Sequence, residues 1–160
     1  MTYRHALRLS IVLGGLLTLT VAGCATPMKS KVGSGDVVAD RQRLMKLNGG
    51  SWADAQAKLK AGNIEGIAVN AETMALNAMH IAALFPEGSG TEKSKAKPEV
   101  WTKWSEFEAA AKNMVAEAEK LRDAARGKNK QLTETLAKDF GRKACGTCHT
   151  PFRVPPPRPS

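Results

Sequence analysis

Pro98-Glu-Val-Trp101-Thr-Lys-Trp104-Ser-Glu-Phe107-Glu-Ala-Ala-Ala111-Lys-Asn-Met114-Val-Ala-Glu-Ala118-Glu-Lys-Leu121-Arg-Asp-Ala-Ala125-Arg-Gly127 is the stretch that decides the fold class. Trp104, Phe107, Ala111, Met114, Ala118, Leu121 and Ala125 recur at intervals of three and four, which places all seven on one face of an α-helix. Glu and Lys cover the other faces. Pro98 suits a first helical turn and Gly127 suits a helix end.

Outward from this stretch the same period repeats. Residues 63–85 carry Ile67, Ala71, Met74, Ala78, Ile81 and Phe85 on one stripe, and Pro86 stops the pattern. Asp36 offers an N-cap to an earlier helix striped by Val38, Arg41, Met45, Asn48, Trp52, Ala55 and Leu59. Gly49-Gly50 weakens that helix in its middle, where a bend is expected, and Gly62-Asn63 ends it. Residues 128–152 use Leu132, Leu136 and Phe140 before a cysteine motif. No run of strand period competes. Helices joined by short loops favour antiparallel packing, so the expected fold is all-α, an up-down four-helix bundle over residues 36–154. Residues 155–160, rich in Pro, read as a frayed tail.

The 160 residues carry a formal charge of +9. No cluster of basic and aromatic residues marks a nucleic-acid surface, so the charge serves solubility or attraction of an acidic partner. Arg4, His5 and Arg8 precede an apolar run from Leu9 to Ala22, short for a membrane span and suited to an export signal. Val21-Ala22-Gly23-Cys24 resembles a bacterial lipobox, giving a signal peptide at 1–23, lipidation of Cys24 and a polar tether over 24–35. Ordinary cleavage after Ala25 is the alternative. Ala25, rather than Asp, favours the periplasmic face of the outer membrane of a Gram-negative bacterium.

Cys145-Gly-Thr-Cys148-His149 carries the chemistry. A spacing of three brings two sulfurs to one helical face, where they can form thioethers with the two haem vinyl groups, and the adjacent imidazole can ligate the iron. Tetrahedral zinc would need two more Cys or His ligands, and His80 is the one other histidine left after export. A redox CxxC expects a strand-then-helix context. A disulfide across two residues leaves His149 without a role. The reading is one haem c on Cys145 and Cys148, with His149 as axial ligand.

A helical bundle with this motif in its last helix resembles the cytochrome c′ family. Arg41-Gln42-x-x-Met45 looks like that family's Arg-Gln entry into the first helix. Phe85-Pro-Glu-Gly-Ser-Gly and Lys97-Pro-Glu-Val-Trp101 resemble its loop and third-helix start, and Cys145-Gly-Thr-Cys-His-Thr-Pro-Phe-Arg153 resembles its ending. The loop is slightly longer here and the Pro-rich tail is extra. The resemblance implies that Arg41 and Gln42 contact the haem propionates and that Arg153 lies beside His149. An unpaired Arg41 on an inward stripe would be costly, which also argues for an anionic partner there; Gln42 is off the stripe and rests on the resemblance alone. The resemblance is compatible with a homodimer.

In typical members an apolar residue four places after the Arg covers the iron without bonding it. Here that place holds Met45, as in the low-spin, c-556-like members, where methionine is the sixth ligand. Met45 is on the inward stripe and a thioether suits iron, although methionines on such stripes usually fill space, as expected of Met74 and Met114. Met79 and His80 lie off their stripe, and His80 is expected at the surface. The expected function is single-electron transfer to redox partner proteins. The alternative is a five-coordinate protein that binds NO or CO. No acid–base or nucleophile grouping suggests an enzyme.

Overall fold

A computed structural model describes residues 35–156. The export signal, Cys24, most of the tether and the last residues of the Pro-rich tail therefore lie outside the described residues. Among the described residues six helices follow one another: α1 Val37–Lys60, α2 Ile67–Met79, α3 Glu99–Thr102, α4 Trp104–Arg126, α5 Lys130–Phe140 and α6 Thr147–Phe152. A 3-10 turn, Ala82–Leu84, trails α2, and a π-helical stretch, Gly141–Gly146, joins α5 to α6. With α5 and α6 forming one interrupted rod and α3 a short prelude to α4, the chain is a four-helix bundle. None of the helices among the described residues is long and apolar enough to cross a membrane.

Helix α1 starts where Asp36 predicts, its carboxylate accepting from the Val38 and Ala39 amides at 3.0 and 3.1 Å. It runs unbroken through Gly49-Gly50, which face open space, so no neighbouring side chain forces a break. Val38, Arg41, Asn48 and Ala55 of the expected stripe are buried, with Met45, Trp52 and Leu59 partly so and packed against the core. The Asn48 side-chain oxygen accepts from Asn77 of α2 at 2.9 Å, while its own amide nitrogen is buried without a partner. Helix α2 is shorter than its stripe because the chain tightens after Met79. Ile67, Ala71, Met74, Ala78 and Ile81 are buried all the same.

Two stripes are rotated relative to expectation. The backbone leaves helical geometry at Lys103 (φ −125°, ψ 46°), so α3 buries Val100 while the restarted helix buries Phe107 and leaves Trp104 39% exposed. From Phe107 onward the stripe holds, through Ala111, Met114, Ala118, Leu121 and Ala125. In α5 the inner face is Thr133, Ala137 and Phe140, continued by Ala144; Leu132 is 45% exposed and Leu136 is partly buried. The left-handed residue after α4 is Lys128 (φ 54°) rather than Gly127, and Asn129 then caps α5 through the Leu132 amide at 3.1 Å.

Core packing is densest between α2 and α4, where buried alanines let the helices approach closely. Helix α1 meets the last rod through Trp52 against Phe140, ring centroids 4.7 Å apart. The chain end is tied down as well. Ala96 forms an isolated antiparallel bridge with Arg153, the Lys97 amide donates to Phe152 O at 2.9 Å, and the Val154 amide donates to Lys95 O at 2.8 Å. Val154 is thereby tied to the segment that leads into α3.

Candidate haem site

Helix α1, the 81–100 connection and α6 enclose a cavity of about 440 Å3. Its walls are apolar: Val38, Ile81, Phe85, Ala96, Val100, Phe107 and Phe152. Phe107 anchors them, with Phe85 at 4.7 Å and Phe152 at 5.4 Å between centroids, both edge-to-face. The polar remainder of the lining is Arg41, Gln42, Lys46, Ser94, Lys95, His149 and Arg153, which includes no carboxylate. Met45 and Cys148 complete it.

The structure brings Met45 from α1 and His149 from α6 to one cavity. Cys148 lines it too. Cys145 does not; it sits in the π-helical stretch, half-buried against the core. No disulfide joins the two cysteines. Burial pushes the Cys145 thiol up, and burial together with the neighbouring Cys145 pushes Cys148 up to about 11. A redox CxxC works by the opposite shift, a lowered thiol pKa. Desolvation, helped by the Arg153 charge, lowers the His149 imidazole below its ordinary value, favouring the neutral ring that can ligate a metal. No group of three or more His, Cys, Asp or Glu among the described residues could hold a metal ion, which disfavours a zinc site built around this motif.

Arg41 lines the same cavity. It is only 5% exposed, and all five of its N–H groups are engaged by the connection after α2. Nε donates to Leu84 O at 2.6 Å, both terminal nitrogens donate to Ser89 O at 3.2 Å, and the remaining protons go to Ser94 Oγ at 3.2 Å and to Ser89 Oγ. Its guanidinium lies 4.1 Å from the Phe85 ring centroid. These hydrogen bonds tie Arg41 to the loop after α2. Burial lowers the Arg41 pKa, opposed by the Asp36 charge. Gln42 is exposed at the mouth, reaching Lys93 O at 3.4 Å, and Arg153 is exposed beside the bridge with Ala96. His80 is exposed and Met74 and Met114 are buried in the core, while Met79 is exposed.

Sequence reasoning missed Lys46, Lys95, Ser89 and Ser94. Lys46 lies one turn beyond Gln42 on α1, a spacing that could have flagged it. The serines sit in a loop whose Gly-Ser-Lys composition says nothing about which carbonyls it will present.

An apolar cavity with cations in its lining, Cys148 and His149 of the CxxCH motif in its wall and the Met45 thioether contributed by another helix fits a flat, apolar, dianionic cofactor. That arrangement on a four-helix bundle defines a c-type cytochrome. Residues 36–153 match the family model described as Cytochrome C′, so the chain belongs to the cytochrome c′ family, whose members carry covalently attached haem c. It is 30% identical over 124 residues to cytochrome c-556 of Agrobacterium tumefaciens (strain II Chrys), covering 73% of this chain and 96% of that protein. It is 35% identical over 118 residues to cytochrome c′ of Pararhodospirillum photometricum, covering 71% and 92%. Cytochrome c prime from Shewanella frigidimarina superposes with a TM-score of 0.68 at 20% identity, over 76% of this chain and 96% of that one, a likeness of fold.

Proposed function

We propose that this chain is a periplasmic electron carrier with haem c bound through Cys145 and Cys148, His149 on one axial side of the iron and Met45 on the other. The observation that carries the reading is that Met45 and His149, one on α1 and one on α6, line the same cavity. The relative named cytochrome c-556 supports it. Bound haem would supply a one-electron ferric/ferrous couple, with His/Met ligation raising its potential. The chain's part is to hold and exclude. Phe85, Phe107 and Phe152 keep water from the cavity floor, which lessens the solvent rearrangement that accompanies a change of charge. Met45 closes the position that an external ligand would take. Redox partners would meet the cofactor at the open mouth, beside Gln42, Lys46 and Lys95. Lipidation of Cys24 would hold the carrier at the outer membrane, and palmitate label should vanish in Cys24→Ser.

The relative named cytochrome c′ favours a second reading, a five-coordinate iron that takes up NO or CO. The ferric optical spectrum separates the two. The carrier is low-spin with the weak methionine–iron charge-transfer band, and Met45→Leu turns it high-spin. A wild-type protein that is already high-spin, and that takes up carbon monoxide readily once reduced, refutes the carrier reading.

A further inference from the structure

The rod formed by α5, the π-helical stretch and α6 turns one face inward along its length. Thr133, Ala137, Phe140, Ala144 and Phe152 on that face are buried, and Cys148, between the last two, lines the cavity together with Phe152. From Phe140 onward every step along this face is four residues. A step of four overshoots an α-helical turn by ~40°, so three in a row would carry the face round by ~120°. The wider turn of Gly141–Gly146 takes up that excess and keeps Cys148, with His149 beside it, at the cavity.

Where a helical ladder changes its spacing, a carbonyl loses its regular donor and needs another. Here that donor comes from α4. Asn113 Nδ2 donates to Lys143 O at 2.7 Å and to Thr147 Oγ1 at 3.3 Å, and the Thr147 hydroxyl itself donates to Lys143 O. Thr147 stands between the two cysteines of the motif. Asn113, Lys143 and Thr147 do not line the cavity, so a cofactor there takes nothing from these contacts.

We infer that Asn113 is a positioning residue: by satisfying the Lys143 carbonyl from α4 it holds the π-helical turn, and through that turn the rotation of α6 that presents His149 to the iron. The inference rests on the haem reading above, and it needs only His149 as a ligand, whichever group takes the opposite side. Thr147 alone could not set the rotation, because its hydroxyl belongs to the same rod and moves with it. Asn113 refers the turn to a separate helix.

The test uses the natively exported holoprotein in its ferric state, where the unpaired spin spreads the haem methyl resonances according to the plane of the axial imidazole. The wild type should give one set of these signals. Asn113→Leu, similar in size but without a donor, should displace that set or add a second. Leu121→Ala, two turns further along α4, should keep the wild-type pattern while its melting temperature falls. In the wild type, the Asn113 side-chain amide protons should exchange with solvent about tenfold more slowly than those of Gln131, an exposed residue of α5. A methyl pattern unchanged in Asn113→Leu overturns the inference. So does exchange of the Asn113 amide at the Gln131 rate, a readout that survives if the variant fails to fold. A wild-type protein without covalent haem would instead refute the reading beneath it, and absorbance reports that separately.

Discussion

The bundle has two halves built on different terms. Away from the cavity, α2 and α4 pack through Ala71, Ala118 and Ala125 around Met74 and Leu121, all buried, and α5 adds Thr133 and Ala137. The surface of that half is stitched by ion pairs such as Arg126–Glu72 at 2.9 Å and Lys58–Asp54 at 2.8 Å. Around the cavity the helices are interrupted: a 3-10 turn after α2, the break at Lys103, the π-helical stretch before α6 and the Ala96–Arg153 bridge. Regular helices are what a chain forms when it packs only against itself. The irregular half turns side chains and carbonyls toward a space that the chain does not fill.

Removing what fills that space should separate the halves most sharply. Cys145→Ser combined with Cys148→Ser should abolish covalent haem, leaving the bare polypeptide mass, and hydrogen exchange should quicken around α6 and the 84–97 loop while α4 beyond Met114 keeps its protection. Uniform loss of protection would mean that the halves do not fold as distinct units. Next in size are two core truncations. Phe107→Ala should cost ~3–5 kcal/mol and Leu121→Ala ~2–5 kcal/mol in denaturant unfolding. Only the first should alter the haem spectrum, because Phe107 lines the cavity and Leu121 does not.

Smaller changes test the regular half. Lys128 is held at φ 54°, a conformation glycine adopts freely, so Lys128→Gly should stabilise by ~0.5–1 kcal/mol even though it gives up an exposed 3.0 Å pair with Glu65. An unchanged melting temperature would show that the pair offsets the strain. Smallest is an acid effect. The Asp123 carboxyl is lowered by its Arg122 hydrogen bond, and Asp54 by Lys58 and then Asn70. Groups with depressed folded values contribute stability above about pH 4, lost as pH falls through those values. Both are exposed, so the melting temperature should fall only slightly in acid, and less still in high salt.

The regular half was the legible half. The stripes through Ile67–Ile81 and Phe107–Ala125, and the Asp36 cap, followed from spacing alone, because a self-packed helix must bury one face. Trp104 and Leu132 were misplaced for one reason: a stripe extrapolated through an unseen break or shift of face keeps the old register. At the site, CxxCH names its own chemistry, and the Met45 register placed that residue at the cavity. The partners of Arg41 were not legible. Burial of a cation can be inferred from a stripe, but whether its partner is a carboxylate or a set of backbone carbonyls depends on a loop folded 43 to 53 residues away.

Arg41 has one more consequence. Its positive charge sits among neutral loop dipoles with the Asp36 carboxylate as a charged neighbour, is shielded from bulk counterions by burial, and persists at any pH the protein will meet. Placed in the cavity wall, it penalises the more positive, oxidised cofactor by a constant amount. The midpoint potential should therefore carry an upward offset that neither buffer nor ionic strength can tune.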